Sequence, residues 1–170
     1  MTKEEVRQMV RERRSGFEDA VGETVGIWER IEGMDAFVKA GNILIYMALP
    51  DEVPTEDFIA KWKDCKNFVI PLVCGDVLEL YRYDPAFLRK GYKGILEPSQ
   101  GAEKVDPSEV EFALIPGVAF ERKDGKLFRL GRGKGFYDRL LPALNCPKVG
   151  VFFSYALVED LPLDPWDCSL

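Results

Sequence analysis

The sequence predicts an α/β fold in a single domain, residues 1–170, with a mostly parallel sheet flanked by helices on both faces. Three observations lead there. A chain of 170 residues that is 46% apolar suits one substantial core. The runs NILIYM (42–47), FVIPLV (68–73) and FALIPGV (112–118) are continuously apolar rather than alternating, as strands covered on both faces read. Between such runs lie amphipathic stretches of helical period, the alternation expected of a parallel sheet with crossover helices.

Each element has a local justification. Thr2-Lys3-Glu4-Glu5 reads as a capping box, with Thr2 at the N-cap and Glu5 at N3, opening a helix through Arg14. Lys3, Arg7, Arg11 and Arg14 follow spacings of four, four and three, so they line one face. Ser15-Gly16 ends that helix, and a second is expected over 17–30. A strand at 42–47 follows, then a helix capped by Thr55 whose apolar face carries Phe58, Ile59 and Trp62. Further strands are expected at 68–73, 77–83, 112–118 and 149–153. Residues 91–107, punctuated by Gly94, Pro98, Gly101 and Pro107, read as a long loop. The turn Lys123-Asp124-Gly125 predicts a hairpin over 117–129.

Composition removes several classes of function. Histidine is absent, which excludes Ser-His-Asp and Cys-His mechanisms and takes away the commonest nitrogen ligand of transition metals. The four cysteines, Cys65, Cys74, Cys146 and Cys168, form no CxxC pair, so neither a zinc site nor a dithiol redox motif is supported. A net charge of −6 argues against nucleic acid or an anionic membrane as partner. No apolar run approaches the length of a membrane span, and the N-terminus, charged from its third residue, is unlike a signal peptide; a cytoplasmic protein is expected. A monomer is expected as well, since every apolar stretch has a place in the core.

Within this acidic chain, residues 121–139 hold seven Lys or Arg against three acids, and residues 1–14 hold five against three. Two basic islands suggest a small anionic ligand. The stretch RLGRGKGFYDRLL (129–141) concentrates the suggestion. Gly131, Gly133 and Gly135 let backbone N–H groups approach an oxyanion, the helix beginning near Phe136 adds unsatisfied donors, and Arg129, Arg132 and Lys134 can neutralise phosphate. The spacing matches neither the Walker loop nor the dinucleotide fingerprint, so a phosphate cradle and a flexible basic turn both stand on physics alone. Asp138, in the first helical turn, serves either as a structural cap or as a holder of magnesium against bound phosphates.

Several motifs together resemble the 5-formyltetrahydrofolate cyclo-ligases, also called methenyltetrahydrofolate synthetases. They are the helix bearing Lys3 and Arg7, Glu52-Val53-Pro54-Thr55 after a strand, Gly94-Ile95-Leu96-Glu97-Pro98, Ile115-Pro116-Gly117-Val118-Ala119-Phe120, and Arg129-Leu130-Gly131-Arg132-Gly133-Lys134-Gly135-Phe136-Tyr137-Asp138. The resemblance runs from end to end and implies a NagB/RpiA/CoA transferase-like fold. It implies an ATP- and Mg2+-dependent ring closure of 5-formyltetrahydrofolate to 5,10-methenyltetrahydrofolate, with release of ADP and phosphate. An N-formyl oxygen is a poor leaving group; phosphorylated from ATP, it departs as phosphate when nitrogen 10 attacks the carbon. Such chemistry asks the protein mainly to position and to neutralise.

By position, the resemblance assigns ATP contacts to Lys3, Arg7 and the loop Arg129, Leu130, Gly131, Arg132, Gly133, Lys134, Gly135, Phe136 and Tyr137. Arg132, Lys134 and Tyr137 stand as catalytic, Asp138 and Asp167 as magnesium ligands. Met47 and Glu52 fall where the family contacts folate, and Tyr83 and Phe87 are candidates to flank the ring. The chain departs from the family pattern at Phe136, where a tyrosine is usual, at Ala156, where a glutamine is usual, and at Trp166, which precedes Asp167 in place of a frequent histidine. Family members usually continue through another short strand after the position of Asp167, so an incomplete or divergent C-terminal edge is expected. The alternatives are a folate- or nucleotide-binding paralogue with impaired turnover and a sugar-phosphate isomerase or transferase, since related folds host such reactions.

Overall fold

The computed structural model describes residues 1–170. Helix α1 spans Lys3–Ser15 and opens on the expected capping box: the Thr2 hydroxyl accepts from the Glu5 N–H at 3.1 Å, and the Glu5 carboxylate accepts from the Thr2 N–H at 2.6 Å. Helix α2 spans Ala20–Glu32, starting three residues later than the sequence suggested because Asp19 takes the N-cap position, and a short α3 follows at Asp35–Lys39.

Then come β1 (Asn42–Leu44), α4 (Glu56–Trp62), β2 (Asn67–Cys74), β3 (Val77–Arg82), β4 (Leu88–Lys90), β5 (Leu96–Pro98) and β6 (Lys104–Val105). The second half contains β7 (Phe112–Ile115), β8 (Ala119–Lys123), β9 (Lys126–Leu130), α5 (Phe136–Leu140) and β10 (Lys148–Gly150). Residues 91–107 are therefore not one long loop. Strands β4 and β5 pair antiparallel within or beside that segment and β6 joins the main sheet. Strands of two or three residues are too short for periodicity to reveal.

The main sheet has the order β10-β7-β1-β2-β3-β6. Its first four strands are parallel; β3 returns antiparallel to β2 through a hairpin, and β6 pairs antiparallel with β3. The architecture is thus a mixed, mostly parallel sheet in an α/β domain. Successive side chains enter opposite layers. Ile43, Ile45, Phe68, Ile70, Phe112 and Leu114 pack with Trp28, Phe37 and Phe58 from α2, α3 and α4, while Leu44, Val69, Ala113 and Ile115 pack with Leu140, Leu141 and Leu144 on the other face. A third cluster seats Val6 and Val10 of α1 on Ala119, Leu130, Ala156 and Leu161.

The β8–β9 hairpin forms as expected, with register Lys123↔Lys126 around Asp124 and Gly125, whose φ values of 51° and 74° are those of a two-residue type I′ turn. The chain ends against this hairpin: Phe128 bridges Ser169, and the Leu170 N–H donates to the Leu127 carbonyl at 2.8 Å.

Candidate functional site

Chain order places β2 on one side of β1 and β7 on the other, so the connections diverge at the C-terminal ends of β1 and β7, where open parallel sheets form ligand crevices. A cavity of about 240 Å3 opens there. Tyr46, Met47 and Glu52 follow β1, Pro116 and Gly117 follow β7, and Pro71, Leu72 and Val73 come from β2. The glycine-rich loop closes the far side with Arg129, Gly131, Arg132, Lys134, Gly135, Phe136, Tyr137 and Asp138.

The segment after β1 is pinned by buried polar bonds. The Tyr46 hydroxyl donates to the Val53 carbonyl at 2.7 Å, the Thr55 hydroxyl donates to the Tyr46 carbonyl at 2.9 Å, and the Trp28 indole donates to the Pro54 carbonyl at 2.9 Å. Thr55 therefore occupies the N-cap position without capping α4 through its side chain; its hydroxyl points back to β1. This fixes Glu52, whose carboxylate accepts the Leu49 N–H at 2.8 Å and lies 3.6 Å from Arg132. Burial pushes the Glu52 carboxyl above its ordinary range, with the neighbouring Asp51 charge acting the same way, against the Leu49 N–H and Arg132.

The loop itself follows from its glycines. Gly133 and Gly135 have φ of 108° and 70°, conformations that other residues rarely adopt. Side chains from three directions tether it. The Arg7 Nε of α1 donates to the Gly131 carbonyl at 3.0 Å, the Arg139 guanidinium bridges the carbonyls of Lys134 and Asp76 at 2.7 Å each, and Arg132 Nη2 donates to Asp51 Oδ1 at 2.7 Å. The two basic islands of the sequence thus meet at Arg7. Helix α5 is only five residues long, so its dipole adds less than a full helix would.

Arg129 is buried at the foot of the loop. Its Nε donates to the Pro116 carbonyl at 2.9 Å, Nη1 lies 3.5 Å from Asp138, and the guanidinium sits 5.1 Å from the Tyr137 ring centre. Burial lowers its pKa, opposed by the charge of Asp138, yet a guanidinium stays protonated. The Tyr137 phenol is pushed up, chiefly by burial and then by Glu52, so it faces the cavity as a neutral hydroxyl able to donate. The Lys134 side chain makes no protein hydrogen bond and the residue is exposed.

Other expected residues fall elsewhere. Tyr83 packs against the α2–α4 layer, because it stands an odd number of residues from Leu78, the β3 residue that lines the cavity. Phe87 sits over Gly101, where an added Cβ would lie 2.9 Å from the ring, outside the cavity. Neither lines that cavity. Lys3 is engaged by Asp164 at 2.6 Å and Asp167 at 3.1 Å, and Asp167 also accepts the Asp164 N–H at 2.7 Å. Asp138 and Asp167 do not sit in a cluster of three or more metal-ligating side chains, and Asp167 is not part of the cavity wall. The magnesium assignment is therefore divided. Asp138, 38% exposed with one weak partner, has carboxylate lone pairs free toward the cavity and fits a metal that takes one or two carboxylates plus phosphate oxygens. Asp167, 12% exposed and bonded to Lys3, is arranged as the partner of a cation.

Sequence reasoning did not single out Tyr46, Leu49, Leu78, Tyr92 or the β2 residues of the wall. Ile95, Leu96 and Glu97 were visible only through the Gly94–Pro98 motif, which supplies the wall opposite the loop.

Fold and site together define an α/β protein with a cationic, glycine-rich loop facing a largely apolar crevice. The model of the 5-formyltetrahydrofolate cyclo-ligase family matches residues 1–170, and the chain belongs to that family. A probable 5-formyltetrahydrofolate cyclo-ligase of Schizosaccharomyces pombe is 30% identical over 168 residues, covering 87% of this chain and 81% of that protein. The 5-formyltetrahydrofolate cyclo-ligase of Haemophilus influenzae is 33% identical over 141 residues, covering 78% and 74%. The solved 5,10-methenyltetrahydrofolate synthetase of Aquifex aeolicus matches all of this chain and 87% of its own with a TM-score of 0.86 at 34% identity.

Proposed function

We propose that this protein is an ATP-dependent 5-formyltetrahydrofolate cyclo-ligase whose two substrates meet in the cavity between Glu52 and the glycine-rich loop. The carrying observation is the convergence of Arg129, Arg132 and Lys134 with the Glu52 carboxylate on one crevice, in a member of this family. The pterin N–H groups suit the fixed Glu52 acceptor beside Met47 and the apolar wall. The triphosphate suits the loop from Arg129 to Tyr137, with Arg7 beside Gly131 and Lys3 one turn earlier on α1.

The loop cations then balance charge as the terminal phosphoryl passes from ATP to the formyl oxygen, releasing ADP. Nitrogen 10 attacks the formyl carbon and releases its proton to solvent, the C–O bond breaks, and inorganic phosphate leaves with the original formyl oxygen. Arg132 and Lys134 act on the transferring group, and the neutral Tyr137 hydroxyl donates a hydrogen bond inside the crevice. Asp138 would hold Mg2+, which supplies neutralising charge against the phosphates. Acting on folate, the protein works as a monomer in the cytoplasm, and its net charge of −6 disfavours nucleic acid and anionic membrane as partners.

The test follows methenyl absorbance after mixing protein, MgATP and 5-formyltetrahydrofolate. Product is expected with wild type and ATP, and is expected to fall by at least about a hundredfold for Arg132→Ala and for Asp138→Ala. ATP and folate binding without product would instead establish a non-catalytic paralogue. That second reading is favoured by Ala156, which is buried in the α1 cluster and brings no polar group to the site, and by the exposed Trp166 beside Asp167.

A further inference from the structure

Resting on the proposed function, the geometry points to Asp51 as a positioning residue that orients the Arg132 guanidinium for the phosphates of ATP. Arg132 is a long side chain on a backbone rich in glycine, and ordering both costs entropy that a bound phosphate would otherwise have to supply. Asp51 is anchored where Arg132 is not. It lies in the tight turn closed by the Glu52 N–H donating to the Leu49 carbonyl at 3.0 Å, and its own carbonyl accepts the Tyr155 hydroxyl at 3.3 Å.

The contact is selective within the guanidinium. Nη2 donates to Asp51 Oδ1 at 2.7 Å and lies 3.6 Å from Glu52 Oε2, while Nε and Nη1 make no protein hydrogen bond. One edge is held and the remaining donors stay available to an anion. Lys134, two residues on and also exposed to solvent, has no such anchor. The pair is 44% and 32% exposed, a setting in which ion pairs add little stability, so its worth lies in geometry rather than in folding.

The pair also stands at a boundary. Glu52 and Gly117 line both the main cavity and a smaller one of about 30 Å3, into which Asp51, Arg11 and Arg14 project. Arg14 adds a second positive charge near Asp51 from α1, which favours the ionised carboxylate that Arg132 requires. Burial works against that ionised form, and the hydrogen bond and charge of Arg132, together with Arg14, outweigh it.

The experiment compares wild type, Asp51→Asn and Asp51→Ala as full chains in the methenyl assay, with ATP affinity measured separately by calorimetry and melting temperature recorded. The ATP KM is expected to rise about threefold for Asn, which keeps an acceptor without charge, and about tenfold for Ala. The folate KM and the melting temperature are expected to stay near wild type, a split that a merely structural role would not produce. An unchanged ATP KM overturns the proposal, as does a lower one, which would mean that Asp51 competes with phosphate for Arg132. A wild type that binds ATP but forms no product removes the proposed reaction while calorimetry still reads the effect of Asp51. A wild type that binds no ATP overturns both.

Discussion

Strand β7, which leads into Pro116 and Gly117 of the cavity wall, and the loop from Gly131 to Gly135 on that wall are nearly equal in length, yet they are held in opposite ways. Every residue of β7 is buried, and the strand pairs with β1 on one edge and β10 on the other. The loop exposes Arg132, Gly133 and Lys134, and its tethers are side chains reaching in from Arg7, Arg139 and Asp51. Sheet pairing makes a floor whose position is set by the whole core. The loop, by contrast, is set by a few polar bonds that a bound anion can rearrange. A site for two substrates uses both: a stiff side to recognise a ring shape, and an adjustable one to surround a triphosphate whose charge redistributes during transfer.

The contrast predicts different consequences on the two sides. Phe112 is fully buried between the layers, and Phe112→Ala is expected to lower unfolding free energy by about 3–5 kcal/mol in urea denaturation. ATP binding by the protein that remains folded should be close to wild type. An equal loss of ATP affinity would show that loop and floor are not separable. Gly135→Ala should reverse the pattern. At φ 70° an alanine is strained, and its Cβ would lie 2.8 Å from Arg139 Nη1, which can move away. The expected stability cost is only about 1–2 kcal/mol, accompanied by a rise in ATP KM, because the strain falls on the segment proposed to donate to the phosphates. Unchanged ATP kinetics in that variant would place the phosphates elsewhere.

The same division decides what the sequence could tell. The floor was legible because burial on both faces writes itself as continuous apolar runs, and the capping box and the Asp124-Gly125 turn are local codes that the structure realises directly. Strands β4, β5 and β6 were not legible, being too short to carry a period. The glycine loop was visible by composition as a basic, glycine-rich turn, but the tethers that shape it come from residues 51, 7 and 139, and only tertiary contact brings these together. That Tyr83 and Phe87 lie outside the cavity wall was illegible for a related reason: an aromatic at the end of an element has no facing until the register of its strand is known. Asp167 was assigned to metal through resemblance, whereas its observed partner, Lys3, lies 164 positions away in the chain.

The smallest expected effect concerns the one carboxylate of the stiff side. Glu52 has its folded pKa raised above an ordinary value of 4.5, first by burial and then, after the opposing Leu49 N–H and Arg132 charge, by Asp51. Below that ordinary value the group is protonated in both folded and unfolded chains. As pH rises through the folded pKa, ionisation costs the folded state more than the unfolded one, so a stability contribution present in acid is lost. Glu52→Gln has no such proton to release. The difference in unfolding free energy between wild type and variant should therefore shift in favour of the variant as pH rises from 4.5 toward neutrality. Asp51 titrates in the other direction, its pKa held below 3.8 by Arg132 against the effect of burial, so its contribution is lost only at more acid pH and leaves this window clear. Urea denaturation of both proteins across the window reads the sign. A difference that stays flat, or that grows in favour of wild type with rising pH, would mean that Glu52 is stabilised as an ion, with Arg132 rather than burial governing it, and the stiff side of the site would then depend on the adjustable one.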